Sequence, residues 1–472
     1  SIWLSHIISV YNHRMDRVQE WAATHQVSLR QLTGQNVTEL DFTDDRLAIC
    51  LRELHEPDQW RRIESLLGNR LLRVYDLRSA NTVRLDGTTA GVYHDPAGHP
   101  LFQVGKNKEG VYEPQFKAML ASLDPLGLLL ALDVAPGNRA DDPLYVPCYL
   151  RAKEMLARNG LLVVGDSKMS AFGTRATIAA GHDHYLTPMP DGKSEPGLLE
   201  QYLRQWQADD HTAMPVFLPD DEPETGQEPD LSLAIAEGFE VSRAHQTRVG
   251  TQPVVWSERC LVVRSFSYQK TEQANLRQRL AKAEGALRDL TPAPGRGKRP
   301  ITDEASLQKA IAAIEKQYRV AGLLLVSRTR QVTERAIRGY RGQPARVEQD
   351  IRYQVQVKRD EAAIEWALFR AGWRIYLTNA PQASLSLTEA VLAYRDQYIE
   401  ENIFRRLKGK MLSITPVYVQ RDDHAQGLFH LLSLAARLLA LGDYTARRAL
   451  ADQQSELSGI YPGNPKRATA RP

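Results

Sequence analysis

Two apolar, β-branched runs in this chain each end on one aspartate. Residues 83–89 read V-R-L-D-G-T-T and residues 161–169 read L-L-V-V-G-D-S-K-M, which places Asp86 and Asp166 at the edges of two buried strands. A carboxylate there is costly unless something pairs with it. A divalent metal ion is the partner that suits it. Gly87, Thr88 and Thr89 follow Asp86, so small and hydroxyl-bearing residues leave room for an ion beside the acid.

The rest of the chain has to build a frame around those strands. At 472 residues it is too long for one ordinary domain. Residues 1–70 read as helical: Thr43-Asp44-Asp45 is a helix start, and Pro57 suits the first turn of the next helix. The apolar pattern already under way at Ser1 leads us to expect further sequence upstream. Residues 71–190 change character. Strand-like runs fall at 71–76, 82–93, 101–104, 128–135 and 161–165, with helical stretches at 114–123, 143–158 and 169–181 and a further strand at 184–187. Such a mixture predicts an α/β fold with a central sheet.

Residues 190–230 are rich in Pro, Asp, Glu and Gly and read as a connection. Strands follow in 232–270, then two helices with apolar spacings of three and four. One carries Leu276, Leu280, Ala283, Leu287 and Leu290; the other carries Leu307, Ile311, Ile314 and Tyr318. They predict a helical hairpin joined by the basic loop T-P-A-P-G-R-G-K-R-P. The two helices pack on each other as core, and the loop tip (Arg296, Lys298, Arg299) offers a DNA contact by charge clustering. Strands are expected at 321–326, 350–357, 373–378 and 412–419, a long helix at 387–408 and an apolar helix at 427–441, before a polar tail at 453–472.

Bulk properties narrow the partners. Formal net charge is only +3, so any nucleic-acid surface must come from local clustering. Three dispersed cysteines, Cys50, Cys148 and Cys260, form no C-x-x-C pair, which argues against a zinc site or a disulfide framework and fits a reducing cytoplasm. No apolar run reads as long enough to span a membrane.

A third acid completes the chemistry. In Y-R-D-Q-Y-I-E-E-N-I-F-R-R-L-K, Tyr394, Glu401 and Lys408 are each seven apart, close to two helical turns, and so share a face of one continuous helix. Three carboxylates can hold two Mg²⁺ or Mn²⁺ ions, the arrangement used for phosphodiester cleavage, with Lys408 and Tyr394 gripping the phosphate. Residue by residue, each acid also has a plain structural explanation as a turn, a cap or a solvated helix position.

These ordered motifs resemble the DDE transposases of bacterial insertion sequences, in the group whose third acid sits in Y-x2-R-x3-E-x6-K (family four). V-R-L-D-G-T-T is similar to that family's first-acid strand, V-G-D-S-K-M at 164–169 to its second-acid motif, and I-E-E-N-I-F-R-R-L-K-G at 399–409 to its third-acid helix; L-D-P-L-G-L-L-L and P-G-N-R-A-D-D-P-L-Y are similar to segments in between. The resemblance implies an RNase H-like, integrase-type α/β core over 71–190 and 386–452. It implies a β-rich insertion domain with the helical hairpin at 191–385, and a helical N-terminal region at 1–70. It makes Asp86, Asp166 and Glu401 the metal-binding catalytic triad for two Mg²⁺ or Mn²⁺ ions. Tyr394 and Lys408 match the outer signature positions, whereas the signature arginine falls on Gln397, with Arg395 and Arg405 nearby but out of register. Glu400 is an alternative third acid at a spacing of eight from Lys408, and Asp76 reads as structural. Trp373, opening the last strand of the insertion, matches a position that stacks on a flipped base in relatives; Trp256 reads as core.

The implied activity is cleavage of transposon ends and strand transfer into target DNA. The implied partners are double-stranded DNA (terminal inverted repeats and target) and a second copy in a homodimeric synaptic complex, with no membrane, in a bacterial cytoplasm at the nucleoid. Two alternatives stand beside it: a nuclease of the same fold without joining activity, and a truncated, inactive DNA-binding relic. Asp141 and Asp142 are expected to cap the helix beginning near Pro143.

Overall fold

The computed structural model describes all residues except 108–109, 191–194, 210–211, 224–226, 292–300, 338–345, 416, 418, 462 and 470–472. In chain order the helices are α1 (Ile2–Val10), α2 (Val18–Thr24), α3 (Gln26–Thr33), α4 (Asp44–His55), α5 (Pro57–Val74), α6 (Asp142–Leu156), α7 (Phe172–Ala180), α8 (Leu198–Ala208), α9 (Phe266–Asp289), α10 (Glu304–Tyr318), α11 (Glu361–Arg370), α12 (Leu387–Arg395), α13 (Tyr398–Lys408) and α14 (Asp422–Asp452). The strands are β1 (Thr82–Gly91), β2 (Gln103–Lys106), β3 (Tyr112–Leu123), β4 (Leu128–Pro136), β5 (Leu162–Gly165), β6 (His184–Pro188), β7 (Met214–Val216), β8 (Ala236–Val249), β9 (Gln252–Ser265), β10 (Leu324–Ile337), β11 (Arg346–Arg359) and β12 (Trp373–Thr378). The chain forms two compact units. The first comprises Ser1–Ser194, Glu240–Leu261 and Tyr376–Pro472; the second comprises Glu195–Phe239 and Val262–Ile375. Residues 240–261, expected within the insertion, thus group with the first unit.

The first unit is built on a mixed sheet. β1 pairs antiparallel with β3, from Val83 opposite Leu123 to Gly91 opposite Gln115, and parallel with β5, from Thr82 opposite Leu162 to Leu85 opposite Gly165. β5 continues parallel to β6, and β6 meets residues 376–378 of β12 antiparallel. β4 and β2 both pair with β3. Helix α6 packs on β1, β3 and β4, while α13 lies on β1 and α14 on β4. A core joins Leu120, Phe116 and Ala118 of β3 to Ile403 and Leu407 of α13 and to Phe429, Leu432 and Ala435 of α14.

Several expectations change here. The stretch 114–123 is strand, not helix. Both faces of β3 are covered, so residues 118–123 are all buried and the two-residue alternation that marks a strand disappears. Residues 71–74 are the last turn of α5 rather than a strand. The helix expected over 387–408 breaks at Asp396–Gln397 into α12 and α13. Residues 412–419 do not form a strand among those described. Helix α14, at 31 residues, is long and apolar enough to cross a membrane, but 72% of its most apolar window is buried in the protein, as suits a central core helix.

The second unit holds α9 and α10 packed together over Leu276, Leu280, Ala283, Leu287, Leu307 and Ile311, with β10, β11 and α11 closing the core. An aromatic cluster stands beside it, with the Trp206 ring stacked on Phe239 at 5.4 Å between centroids and tilted against Trp373 at 5.7 Å.

Candidate active site

Parallel pairing places the two aspartates together. Leu85 sits opposite Gly165, so Asp86 and Asp166 follow one step later on neighbouring strands. They line one cavity of about 160 Å³ with Gly87, Thr88, Thr89, Lys106, Asn107, Lys117, Asp141, Tyr145 and Lys168. Asp86 Oδ1 accepts the Gly87 N–H at 2.7 Å. Asp166 is held from three sides. The Tyr145 hydroxyl of α6 donates to Oδ1 at 2.6 Å, the Lys168 N–H donates to the same oxygen at 2.9 Å, and the Thr187 hydroxyl of β6 donates to the Asp166 carbonyl at 2.6 Å. Burial, reinforced by the charge of Asp166, pushes the Tyr145 phenol far above its ordinary value, so it remains a protonated donor.

The two adjacent glutamates offered for the third acid have opposite surroundings. Glu401 is exposed, whereas Glu400 is 3% exposed. Ile399, Ile403 and Leu407 form the buried stripe of α13. At roughly 100° per residue Glu400 falls beside that stripe and Glu401 about 160° from its centre. The seven-residue spacing does put Glu401 and Lys408 on one face, and that face is the exposed one. Glu400 lies within electrostatic reach of Asp86, Arg84, Asp124 and Asp166. Desolvation first, then repulsion from Asp86, raise its pKa well above the ordinary glutamate value, against the pull of Arg84. Its Oε1 is buried with no hydrogen-bond partner.

The remaining expected residues are dispersed. Tyr394 lies on α12, before the helix break, with its ring 4.8 Å from that of Tyr376. Arg405 and Lys408 are exposed in the last turn of α13. Trp373 is 3% exposed within the aromatic cluster, with the Arg264 guanidinium 5.0 Å from its ring centre, so neither face is open to a base. Arg296, Lys298 and Arg299 lie outside the described residues. Asp141 is the N-cap residue of α6, yet its side chain makes no cap hydrogen bond. It binds two lysines instead: Lys117 Nζ reaches Oδ1 at 2.7 Å and Lys168 Nζ reaches Oδ2.

Two residues that sequence reasoning passed over support the site. Tyr145 is one; its signal was the Asp-Pro helix start, which puts a phenol one turn into α6. Arg84 is the other. Although 1% exposed, it makes a bidentate pair with Asp124, at 2.9 and 2.7 Å, and donates to the Ala393 carbonyl at 2.9 Å. The pair ties β1 to the start of the β3–β4 turn and to α12.

A family model described as the transposase DDE domain matches residues 79–439, more than three quarters of the chain. The chain belongs to the DDE transposases. No curated protein matches its sequence. Among solved structures, the cryo-EM structure of the piggyBac transposase synaptic complex with hairpin DNA matches at 10% identity, covering 98% of this chain and 76% of that one, with a TM-score of 0.25. DDE transposases generally use divalent metal ions. Among the described residues no three His, Cys, Asp or Glu side chains lie close enough to hold an ion. The oxygen-only donors and the unpartnered, buried Glu400 Oε1 nevertheless fit a hard divalent cation, which would supply the charge this cluster lacks.

Proposed function

We propose that this DDE transposase cleaves the ends of its element and joins them to target DNA at a site made by Asp86, Asp166 and Glu400. The observation that carries this reading is the placement of three acids: Asp86 within β1 and Asp166 just past the end of β5 line one cavity, and Glu400 is buried within their electrostatic reach, with no hydrogen-bond partner for one of its oxygens. The strand order, with β1 antiparallel to β3 and parallel to β5 and β6, supports an RNase H-like core. Asp86, Asp166 and Glu400 would hold Mg²⁺ or Mn²⁺ once drawn together around it, and the ion would supply activation of a water or 3′-hydroxyl nucleophile and stabilisation of the leaving oxygen.

The protein's own groups do the rest. Tyr145 and the Lys168 N–H fix Asp166 by occupying one carboxylate oxygen, which sets the direction of the other. Arg84, locked to Asp124 and to the end of α12, holds β1 against the helix pair that carries Glu400. Both cleavage and joining are in-line displacements at phosphorus, so one site serves both. The reading takes the substrate to be double-stranded DNA with terminal inverted repeats, acted on by a homodimer in the bacterial cytoplasm, in the manner of the insertion-sequence enzymes of family four.

The test uses duplexes carrying the repeats that flank the gene. With Mn²⁺, wild type should nick them and join pre-cleaved ends to a plasmid, and Asp166→Ala should do neither while still binding. Nicking by Asp166→Ala would remove the assignment; nicking by wild type without joining would reduce it to a nuclease.

A further inference from the structure

The cavity that holds the aspartates has a second chemistry that the metal site does not use. Lys117 comes from β3, one strand over from Thr89 of β1. Lys168 comes from the turn after β5, two residues beyond Asp166. Asp141 stands between them at the start of α6 and takes one ammonium group on each carboxylate oxygen. An ammonium group carries three donors, and Asp141 accounts for one on each. The three groups together keep a net positive charge, and Lys106, exposed on β2, adds another at the same cavity. Asp141 itself stays ionised. Burial pushes its carboxyl up, but the hydrogen bonds and charges of the two lysines outweigh that and hold it below the ordinary aspartate value.

A purely structural latch would need one lysine, or would bury both. Here the Lys117 side chain is 14% exposed and that of Lys168 is 50% exposed, and both line the cavity. Lysine acts as a point charge towards phosphate and does not need the flat, two-pronged geometry that arginine supplies. A carboxylate that spreads two ammonium groups over its two oxygens presents them as a forked, pre-ordered pair.

We propose that Lys117 and Lys168, spread by Asp141, form a clamp for a DNA backbone phosphate at the mouth of the aspartate cavity and so position the strand to be cut. The inference rests on the transposase reading and adds the residues that grip the substrate there. It makes Lys117 and Lys168 substrate-binding residues and Asp141 a positioning residue.

The experiment measures binding of the full-length protein to a fluorescein-labelled 30-base-pair duplex of mixed sequence, in EDTA, by anisotropy over a salt series. Each phosphate contact contributes about 0.9 to the slope of log Kobs against log salt concentration. Lys117→Gln and Lys168→Gln should each weaken binding and lower the slope by part of that amount, and the double variant should lower it by about 0.9, the contribution of one phosphate. Asp141→Asn, which keeps the side chain's shape but removes the charge that spreads the two ammonium groups, should weaken binding several-fold although both lysines remain. Thermal unfolding of each variant separates fold from grip. Unchanged slopes in both lysine variants, with a lowered Tm, would show a latch and overturn the clamp alone. Tighter binding by Asp141→Asn with unchanged Tm would also overturn it, because Asp141 would then only oppose the lysines. Failure of wild type to bind any duplex would overturn the transposase reading and the clamp with it.

Discussion

Two buried glutamates of the first unit have opposite surroundings. Glu258, on β9, is wholly buried, and each oxygen is occupied: Arg175 and the Tyr185 hydroxyl bind Oε1, while Arg243 and His245 reach Oε2 at 2.7 and 2.9 Å. Burial pushes its carboxyl up, but Arg175 and the hydrogen bonds win and hold it below the ordinary value. Glu400 is as deeply buried and faces other acids, with one oxygen unpartnered and its pKa raised. A structural acid is buried with its counter-charge supplied by the chain. Under the proposed function Glu400 is buried with its counter-charge missing because a bound cation would bring it. Partnering separates the two where burial alone does not.

The largest effect should come from breaking the partnered acid. Glu258→Ala leaves the buried Arg175 and the half-buried Arg243 without their carboxylate and should cost about 3–5 kcal/mol of stability, read by urea unfolding. A loss under about 1 kcal/mol would mean the network is solvated and the contrast with Glu400 is false. Glu400→Gln should do the reverse. Metal-free stability should hold or rise, since an unpaired acid is removed, while nicking in Mn²⁺ falls at least about 100-fold, the equivalent of losing several kcal/mol of transition-state stabilisation. Glu401→Gln should change nicking less than about threefold, within the range of a solvated surface position. If Glu401→Gln is the dead variant and Glu400→Gln the active one, α13 presents its other face to the substrate and the assignment of the third acid reverses.

A smaller effect sharpens the aspartate side of the comparison. Tyr145→Phe removes the hydroxyl that fixes Asp166 and leaves the ring in place. A residue that orients a ligand is worth roughly 10- to 100-fold in metal affinity or activity. The Mn²⁺ concentration giving half-maximal nicking should therefore rise in that range with little change in Tm. No change would place Tyr145 in the core rather than in the site.

What the sequence revealed, and where it failed, follows from the same physics. The two aspartates were legible because each interrupts an apolar strand run, and a charge at the end of such a run stands out locally. Which glutamate is buried was not, because two adjacent glutamates on a helix differ only in the face they occupy, and the seven-residue spacing from Lys408 favoured Glu401, the exposed one. The stripe Ile399, Ile403, Leu407 held the signal for burial: it passes beside Glu400 and away from Glu401. The helix break at Asp396–Gln397 was hidden for want of a glycine or proline to mark it. β3 read as helix because covering both faces of a sheet erases alternation. Trp373 looked like a base-stacking residue from its place before α12, but the Trp206 and Phe239 rings that bury it come from well over a hundred residues upstream. The Glu258 network was invisible for the same reason, since its partners lie on α7, β6 and β8.

The mildest prediction returns to that network through pH. Glu258 has a folded pKa below its unfolded value, so its stabilisation is fully present above the ordinary glutamate range and is lost as pH falls through that range towards the lower folded value. Glu258→Gln has no such proton to take up. In EDTA, the stability difference between wild type and Glu258→Gln should therefore be largest near neutrality and shrink as pH falls below about 4.5. Arg175, Arg243, His245 and Tyr185 are common to both proteins, so their own titration cancels to first order in the difference. A difference that stays flat from pH 7 to pH 4 would mean that Glu258 is held by packing rather than by its charge partners. The distinction between a satisfied and an unsatisfied buried acid would then have to rest on Glu400 alone.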